Sequence, residues 1–324
     1  MFDGEGVAVA DGGAVEMFVL QRAEEPLNGT GSLRVVSPCR ASERNRVGAV
    51  PPLCRWTGAT VIAGALIALP VASLSKEREP AATATDVERL RVEVVESHPH
   101  DTGAFTQGLE LRGEALYESA GRYGESDARI VEPETGAVER RAELPDSAFG
   151  EGLTLAGDTV WQLTWREETA IRRDAETLEE TGRADYSGEG WGLCHDREGD
   201  RLVMSDGSAE LTFRDPETFA PLSSTRVTFG GEPLERINEL ECADGAVWAN
   251  VWPTDEIVRI DPESGEVEAV VDASGLLSES ERSQADVLNG IAVVPGSDTF
   301  LVTGKLWPRI FLVRFIPGEP PSSG

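Results

Sequence analysis

A short step repeated five times restricts the fold of this chain more than any other feature. A polar residue, usually followed by glycine, precedes an apolar run at Gln107-Gly108-Leu109, Glu151-Gly152-Leu153, Glu189-Gly190-Trp191, Asn238-Glu239-Leu240 and Asn289-Gly290-Ile291. The copies are spaced about 44, 38, 49 and 51 residues apart, a period that marks radial or solenoidal arrays. Each copy continues into further apolar strands and a turn such as Glu134-Thr135-Gly136, Glu176-Thr177-Leu178, Glu217-Thr218-Phe219 or Glu263-Ser264-Gly265. Four strands per copy and five copies predict an all-β chain folded as a five-bladed β-propeller over residues 91–318.

The formal charge of -29 limits the partners such a domain accepts. Of its 29 basic residues only Lys76 and Lys305 are lysines, so the surface resembles that of proteins from extreme halophiles, where dense carboxylates hold water in concentrated salt. Nucleic acid and an anionic membrane surface carry the same sign and are excluded as partners. Cysteines 39, 54, 194 and 242 show no metal-ligand spacing, and neither do His98, His100 and His195, so no metal and no cofactor is expected. Cys194 and Cys242 read first as small core residues, with a disulfide open to them in an exported chain.

Residues 56–75 carry no charge and include Val-Ile-Ala-Gly-Ala-Leu-Ile-Ala-Leu, flanked upstream by Arg44, Arg46 and Arg55. This segment reads as a signal-peptide apolar region or an N-terminal membrane anchor, because about 20 apolar residues span a bilayer and Pro70 interrupts the run. Export, with the domain extracellular or anchored facing outside, is the expectation. Residues 1–55 show no clear periodicity, residues 76–90 read as a linker leading to a first strand at Leu90–Val95, and 319–324 form a tail.

Aligning the hairpins collects a site. Glu151 is followed by Trp161 and Trp165, and Asn238 by Trp248 and Trp252 at the same offsets; Lys305 takes the corresponding place in the fifth copy. The start of one antiparallel strand lies beside the end of its partner, so these residues gather at one mouth of the disc. The mouth then holds Gln107, Glu151, Glu189, Asn238, Asn289, Trp165, Trp191, Trp252 and Lys305. A compact ammonium in a domain otherwise furnished with arginine points to a specific role.

Ten longer strings carry a family resemblance: His100-Asp-Thr-Gly-Ala-Phe-Thr-Gln-Gly-Leu, Leu116-Tyr-Glu-Ser, Phe149-Gly-Glu-Gly-Leu-Thr, Gln162-Leu-Thr-Trp, Glu189-Gly-Trp-Gly-Leu, Ser205-Asp-Gly-Ser, Asn238-Glu-Leu-Glu, Ala249-Asn-Val-Trp, Val287-Leu-Asn-Gly-Ile-Ala and Thr303-Gly-Lys-Leu-Trp-Pro. Over residues 91–315 the chain resembles the plant and bacterial glutaminyl-peptide cyclotransferases. That resemblance implies a five-bladed propeller that converts the N-terminal glutamine of peptides or proteins to pyroglutamate with loss of ammonia, without a metal. It also implies a site of Phe105, Gln107, Phe149, Glu151, Trp165, Trp191, Asn238, Trp252 and Lys305.

The residue types suit that chemistry. A substrate α-amine that attacks its own carboxamide needs a base and then an acid, which Glu151 supplies. Lys305, with the amides of Asn238 or Gln107, faces the negative oxygen of the intermediate. Phe105, Phe149, Trp165, Trp191 and Trp252 hold the glutamine side chain folded on its amine. Two alternatives of other classes stay open at this point: a propeller that binds peptides without catalysis, and a calcium-assisted, lactonase-like hydrolase.

Overall fold

The structure is a computed structural model that describes residues 8–11, 14–17 and 87–318. The apolar segment 56–75, linker residues 76–86, Cys39, Cys54, Lys76 and the tail 319–324 lie outside the described residues. In the N-terminal unit, Met1–Ser73, strands β1 (Ala8–Asp11) and β2 (Ala14–Met17) pair as a hairpin. Among the described residues no helix is long and apolar enough to cross a membrane.

The second unit is built almost wholly of strands. β3 (Glu88–Pro99) is followed by β4 (Thr106–Arg112), β5 (Ala115–Ala120), β6 (Asp127–Glu132) and β7 (Ala137–Glu143), the last four forming one antiparallel sheet. β8 (Gly150–Ala156), β9 (Thr159–Thr164), β10 (Thr169–Asp174) and β11 (Glu180–Asp185) form a second. β12 (Leu193–Asp196), β13 (Arg201–Met204), β14 (Glu210–Arg214) and β15 (Pro221–Arg226) form a third. A small ribbon of β16 (Thr228–Phe229) and β17 (Glu232–Pro233) then leads into β18 (Ile237–Ala243), β19 (Ala246–Val251), β20 (Glu256–Ile260) and β21 (Val267–Asp272). A one-turn helix, α1 (Glu279–Arg282), precedes β22 (Leu288–Val293), β23 (Thr299–Gly304) and β24 (Arg309–Pro317).

The last strands do not form two separate sheets. They join in one eight-stranded sheet, ordered β18-β19-β20-β21-β3-β24-β23-β22. β3 is the joint: it runs antiparallel to β24 from Leu90 to Pro99 and parallel to β21 over Glu88–Arg91. Pairing along both edges explains why this strand extends beyond the expected Leu90–Val95 at each end.

The repeated turns have a common chemistry. Asp174, Asp215 and Asp261 each accept the amides two and three residues ahead through Oδ1, and Thr177 and Thr218 add their hydroxyls. The residue closing each turn has a left-handed backbone, at Gly136, Leu178, Phe219 and Gly265. An Asx turn satisfies those amides locally and frees the chain to start the outer strand.

Apolar side chains fill the space between consecutive sheets. Tyr117 and Ile130 meet Leu153 and Val160; Trp161 and Leu163 meet Leu202 and Phe219; Val203 and Phe213 meet Ile237 and Val258. Trp248 and Ile257 meet Leu288 and Phe300, and Leu301 and Ile310 meet Leu109 and Leu116 of the first sheet. The first strands touch in the same order, β4 to β8, β8 to β12, β12 to β18, β18 to β22 and β22 back to β4. The glycine of the repeated step follows from that closeness: a Cβ on Gly152 would stand 2.6 Å from the Leu193 nitrogen of the next first strand. No side chain fits there. Cys194 of β12 and Cys242 of β18 form a disulfide with a Cα–Cα distance of 5.4 Å, so the sequence's first reading of two separate core cysteines is replaced by a cross-link between neighbouring first strands.

Candidate active site

The polar residues of the repeat sit on β-bulges. Pairing slips between Thr106 and Gly108 in β4, Gly150 and Leu153 in β8, Ile237 and Leu240 in β18, and Leu288 and Ile291 in β22. A bulge inserts an unpaired residue and re-aims its side chain. Here the inserted positions carry Gln107, Glu151, Asn238 and Asn289, and the first three line a cavity of about 690 Å³. Lys305, one residue past β23, closes the same floor. Gln107, Glu151, Asn238 and Lys305 are all buried.

Asn289, expected at the mouth, does not line the cavity but is fully buried behind the floor, which it orients. Its Nδ2 donates to Gln107 Oε1 at 3.1 Å, and Gln107 Nε2 donates to Glu151 Oε1 at 3.1 Å. Both ends of the Gln107 amide are therefore engaged. The Asn238 side chain, in contrast, has no hydrogen-bond partner among the described residues and faces the cavity.

Aromatic rings form the walls. Phe105 and Phe149 meet edge to face at 6.2 Å, Phe149 leans on Trp165 at 5.6 Å, and Trp191 meets Trp252 edge to face at 6.1 Å. The Lys305 Nζ lies 4.9 Å from the Phe105 ring centre. Trp161 and Trp248, which share the offsets of the second strands, instead pack in the core against Phe219 and Phe300.

Glu189 reaches the expected cavity from a loop and not from a strand. It stands four residues before β12, in a loop, and is only partly buried. Its Oε2 accepts from Trp165 Nε1 at 2.8 Å and Trp191 Nε1 at 3.0 Å, while Oε1 accepts from Arg166 at 2.9 Å. It ties the two indoles together at the rim.

The electrostatics separate these carboxyls. Burial pushes Glu151 well above the usual carboxylate range; Lys305 pulls it down, and Glu189 and Glu167 push it further up. Burial also lowers the Lys305 ammonium, against the pull of Glu151 and Asp286. For Glu189, burial works against ionisation, but the bonds from Trp191, Trp165 and Arg166 outweigh it and keep its carboxyl below the usual range. The floor thus holds a carboxyl that burial inclines to keep its proton, and the rim one that its donors incline to ionise.

All nine residues named from the motifs, Phe105, Gln107, Phe149, Glu151, Trp165, Trp191, Asn238, Trp252 and Lys305, line this one cavity with Glu189. Arg122, Arg166 and Asp286 also line it and were not foreseen. They lie in loops outside the repeated hairpin register, so no periodic signal marks them.

Comparison with known proteins agrees with this geometry. A family model described as glutamine cyclotransferase matches residues 65–315. A glutaminyl-peptide cyclotransferase of Arabidopsis thaliana is 39% identical over 229 residues, covering 69% of this chain and 71% of that protein. The crystal structure of Myxococcus xanthus glutaminyl cyclase matches with a TM-score of 0.65 and 38% identity, covering 72% of this chain and all of that one. With family motif, relative and fold in agreement, the chain belongs to the glutamine cyclotransferase family.

Proposed function

We propose that this protein cyclises the N-terminal glutamine of peptides and proteins to pyroglutamate, releasing ammonia. The observation that carries the reading is a buried carboxyl, raised by burial, and a buried lysine that share the floor of one aromatic-walled cavity. We read the four-stranded units, two of them fused through β3, as the blades of a five-bladed propeller; the cyclic order of first-strand contacts supports this. The disulfide fits export to an oxidising compartment, with residues 56–75 as signal or anchor.

The steps follow from the positions. Substrate enters as an α-ammonium, since such amines titrate near 7.7–8.0. Ionised Glu151 takes one proton from that nitrogen, and its raised affinity for the proton brings it closer to the amine it must match. The amine's electron pair attacks the side-chain carbonyl carbon, a C–N bond forms, and the carbonyl π pair moves to oxygen. Lys305 and the free amide of Asn238 stabilise that oxyanion; Gln107, engaged at both ends, positions Glu151 instead. Glu151 returns its proton to the former carboxamide nitrogen and takes the second proton from the attacking nitrogen; the old C–N bond breaks as the carbonyl re-forms, and that second proton leaves with the ammonia as ammonium, so Glu151 ends ionised as it began. The walls hold the side chain folded on its amine, which removes rotational freedom before reaction.

The test is ammonia release from a Gln-initiated peptide, with and without chelator, at high salt. Release in both conditions is expected. Binding without release would favour the peptide-binding alternative, and loss of activity on chelation would favour calcium-assisted hydrolysis.

A further inference from the structure

We propose that Arg122, Arg166 and Arg236 form a cationic rim selecting peptides with acidic side chains directly after the N-terminal glutamine. This deepens the cyclase reading and rests on it. A peptide whose first residue fills the cavity meets the rings of Phe105, Trp165 and Trp252, and an arginine lies over each. The guanidinium carbons stand 4.7 Å from the Phe105 centre for Arg122, 3.8 Å from Trp165 for Arg166 and 5.6 Å from Trp252 for Arg236. A guanidinium stacked on a ring keeps its in-plane N–H edge free, the edge that matches a carboxylate.

Charge sets Arg122 and Arg236, whose backbones are left-handed at φ 111° and 66°, apart from ordinary surface charge. The chain has 58 acidic and 29 basic residues, so an arginine finds acidic partners easily. Yet Arg236 forms no ion pair among the described residues, and the carboxylate nearest to Arg122, Glu125, lies at 4.0 Å.

The acids at the mouth are already committed. Glu189 holds two indoles and Arg166 Nε, leaving the terminal nitrogens of Arg166 toward solvent. Glu167 accepts from the Tyr123 hydroxyl and the Phe149 amide. Asp286 accepts the Val287 amide and pulls on Lys305. With Arg122, Arg166, Arg236 and Lys305 set against Glu151, Glu167, Glu189 and Asp286, the mouth is close to balanced in a molecule of charge -29, and an acidic peptide meets less repulsion there.

Competing C-terminally amidated peptides Gln-Asp-Asp-Ala, Gln-Ser-Ser-Ala and Gln-Lys-Lys-Ala test this, because amidation removes the terminal carboxylate as a second source of the same chemistry. The full-length protein should prefer the acidic peptide over the neutral one by on the order of tenfold in kcat/KM, carried by KM, with the basic peptide last. In the double variant Arg122→Gly, Arg236→Asn, whose new residues accept left-handed backbone, the acidic-to-neutral ratio should fall toward one. Equal efficiencies in the wild type, a preference for the basic peptide, or an unchanged ratio in the double variant would overturn the proposal. Ammonia from none of the peptides would instead overturn the cyclase reading beneath it. The wild-type comparison stands alone if the variant fails to fold.

Discussion

Replacing Glu151 by glutamine separates its proton chemistry from every other role the side chain has. The variant keeps the size of the side chain and an oxygen for Gln107 Nε2, so the hydrogen bond at 3.1 Å survives. It also removes a buried carboxyl that Lys305, Glu189 and Glu167 now influence. Losing a positioned general base costs about 10²–10⁴-fold in kcat, or roughly 2.7–5.5 kcal/mol of barrier. KM should change little, because the aromatic walls that enclose the substrate are untouched. The pH dependence carries the sharper signature. Burial favours the neutral acid, whereas the base must be ionised, so wild-type activity should fall as pH drops through a value above the usual carboxylate range. In Glu151→Gln that acid limb should vanish. Stability has the matching sign: a carboxyl with a raised folded pKa loses stability as pH rises from its unfolded value through its folded one, so the variant should melt no lower than wild type at neutral pH. The assay is ammonia release from a Gln-initiated peptide across pH, with near-ultraviolet circular dichroism as the check on fold. Wild-type turnover in Glu151→Gln, alongside an inactive but folded Glu189→Gln, would place the base at the rim and refute the argument.

Lys305→Met removes the cation that lowers Glu151, so turnover should fall and the remaining acid limb should move to higher pH; an unmoved limb would show that the two groups are uncoupled. The Cys194–Cys242 disulfide closes a sequence separation of 48 residues, which by chain entropy stabilises by about 4 kcal/mol, so the double serine variant should melt roughly 10 °C lower. An equal melting temperature would mean that the unfolded chain is already constrained. Dialysis from molar to millimolar salt should melt the domain as unscreened carboxylates repel, and circular dichroism that stays constant would remove that reading of the -29 charge.

The floor of the cavity was legible in the sequence because it is written in the repeat. Gln107, Glu151 and Asn238 occupy equivalent bulges, and the glycine after the polar residue records how tightly one first strand meets the next. Lys305 was legible for the same reason, by register rather than by any property of lysine. Glu189 shows where that logic stops. The third copy begins its ladder at Leu193, so the polar residue of its repeated step falls in a loop and serves two indoles instead of the floor. A matching string identified the position but not the direction of the side chain.

What the repeat does not encode is the relation between units. The order of the eight-stranded sheet depends on β3, which comes from the far end of the chain and is no part of the repeated hairpin. The disulfide likewise spans two units, and its cysteines look isolated until β12 and β18 are set side by side. The raised acid of Glu151 has the same origin: a carboxyl at the start of a strand is ordinary until packing buries it and brings the charges of Lys305, Glu189 and Glu167 to bear on it. The acidity of the site is thus a property of tertiary packing. The arginines over the walls lie one step further out, in loops that the period does not constrain, so the peptide preference proposed for them leaves no periodic mark in the sequence.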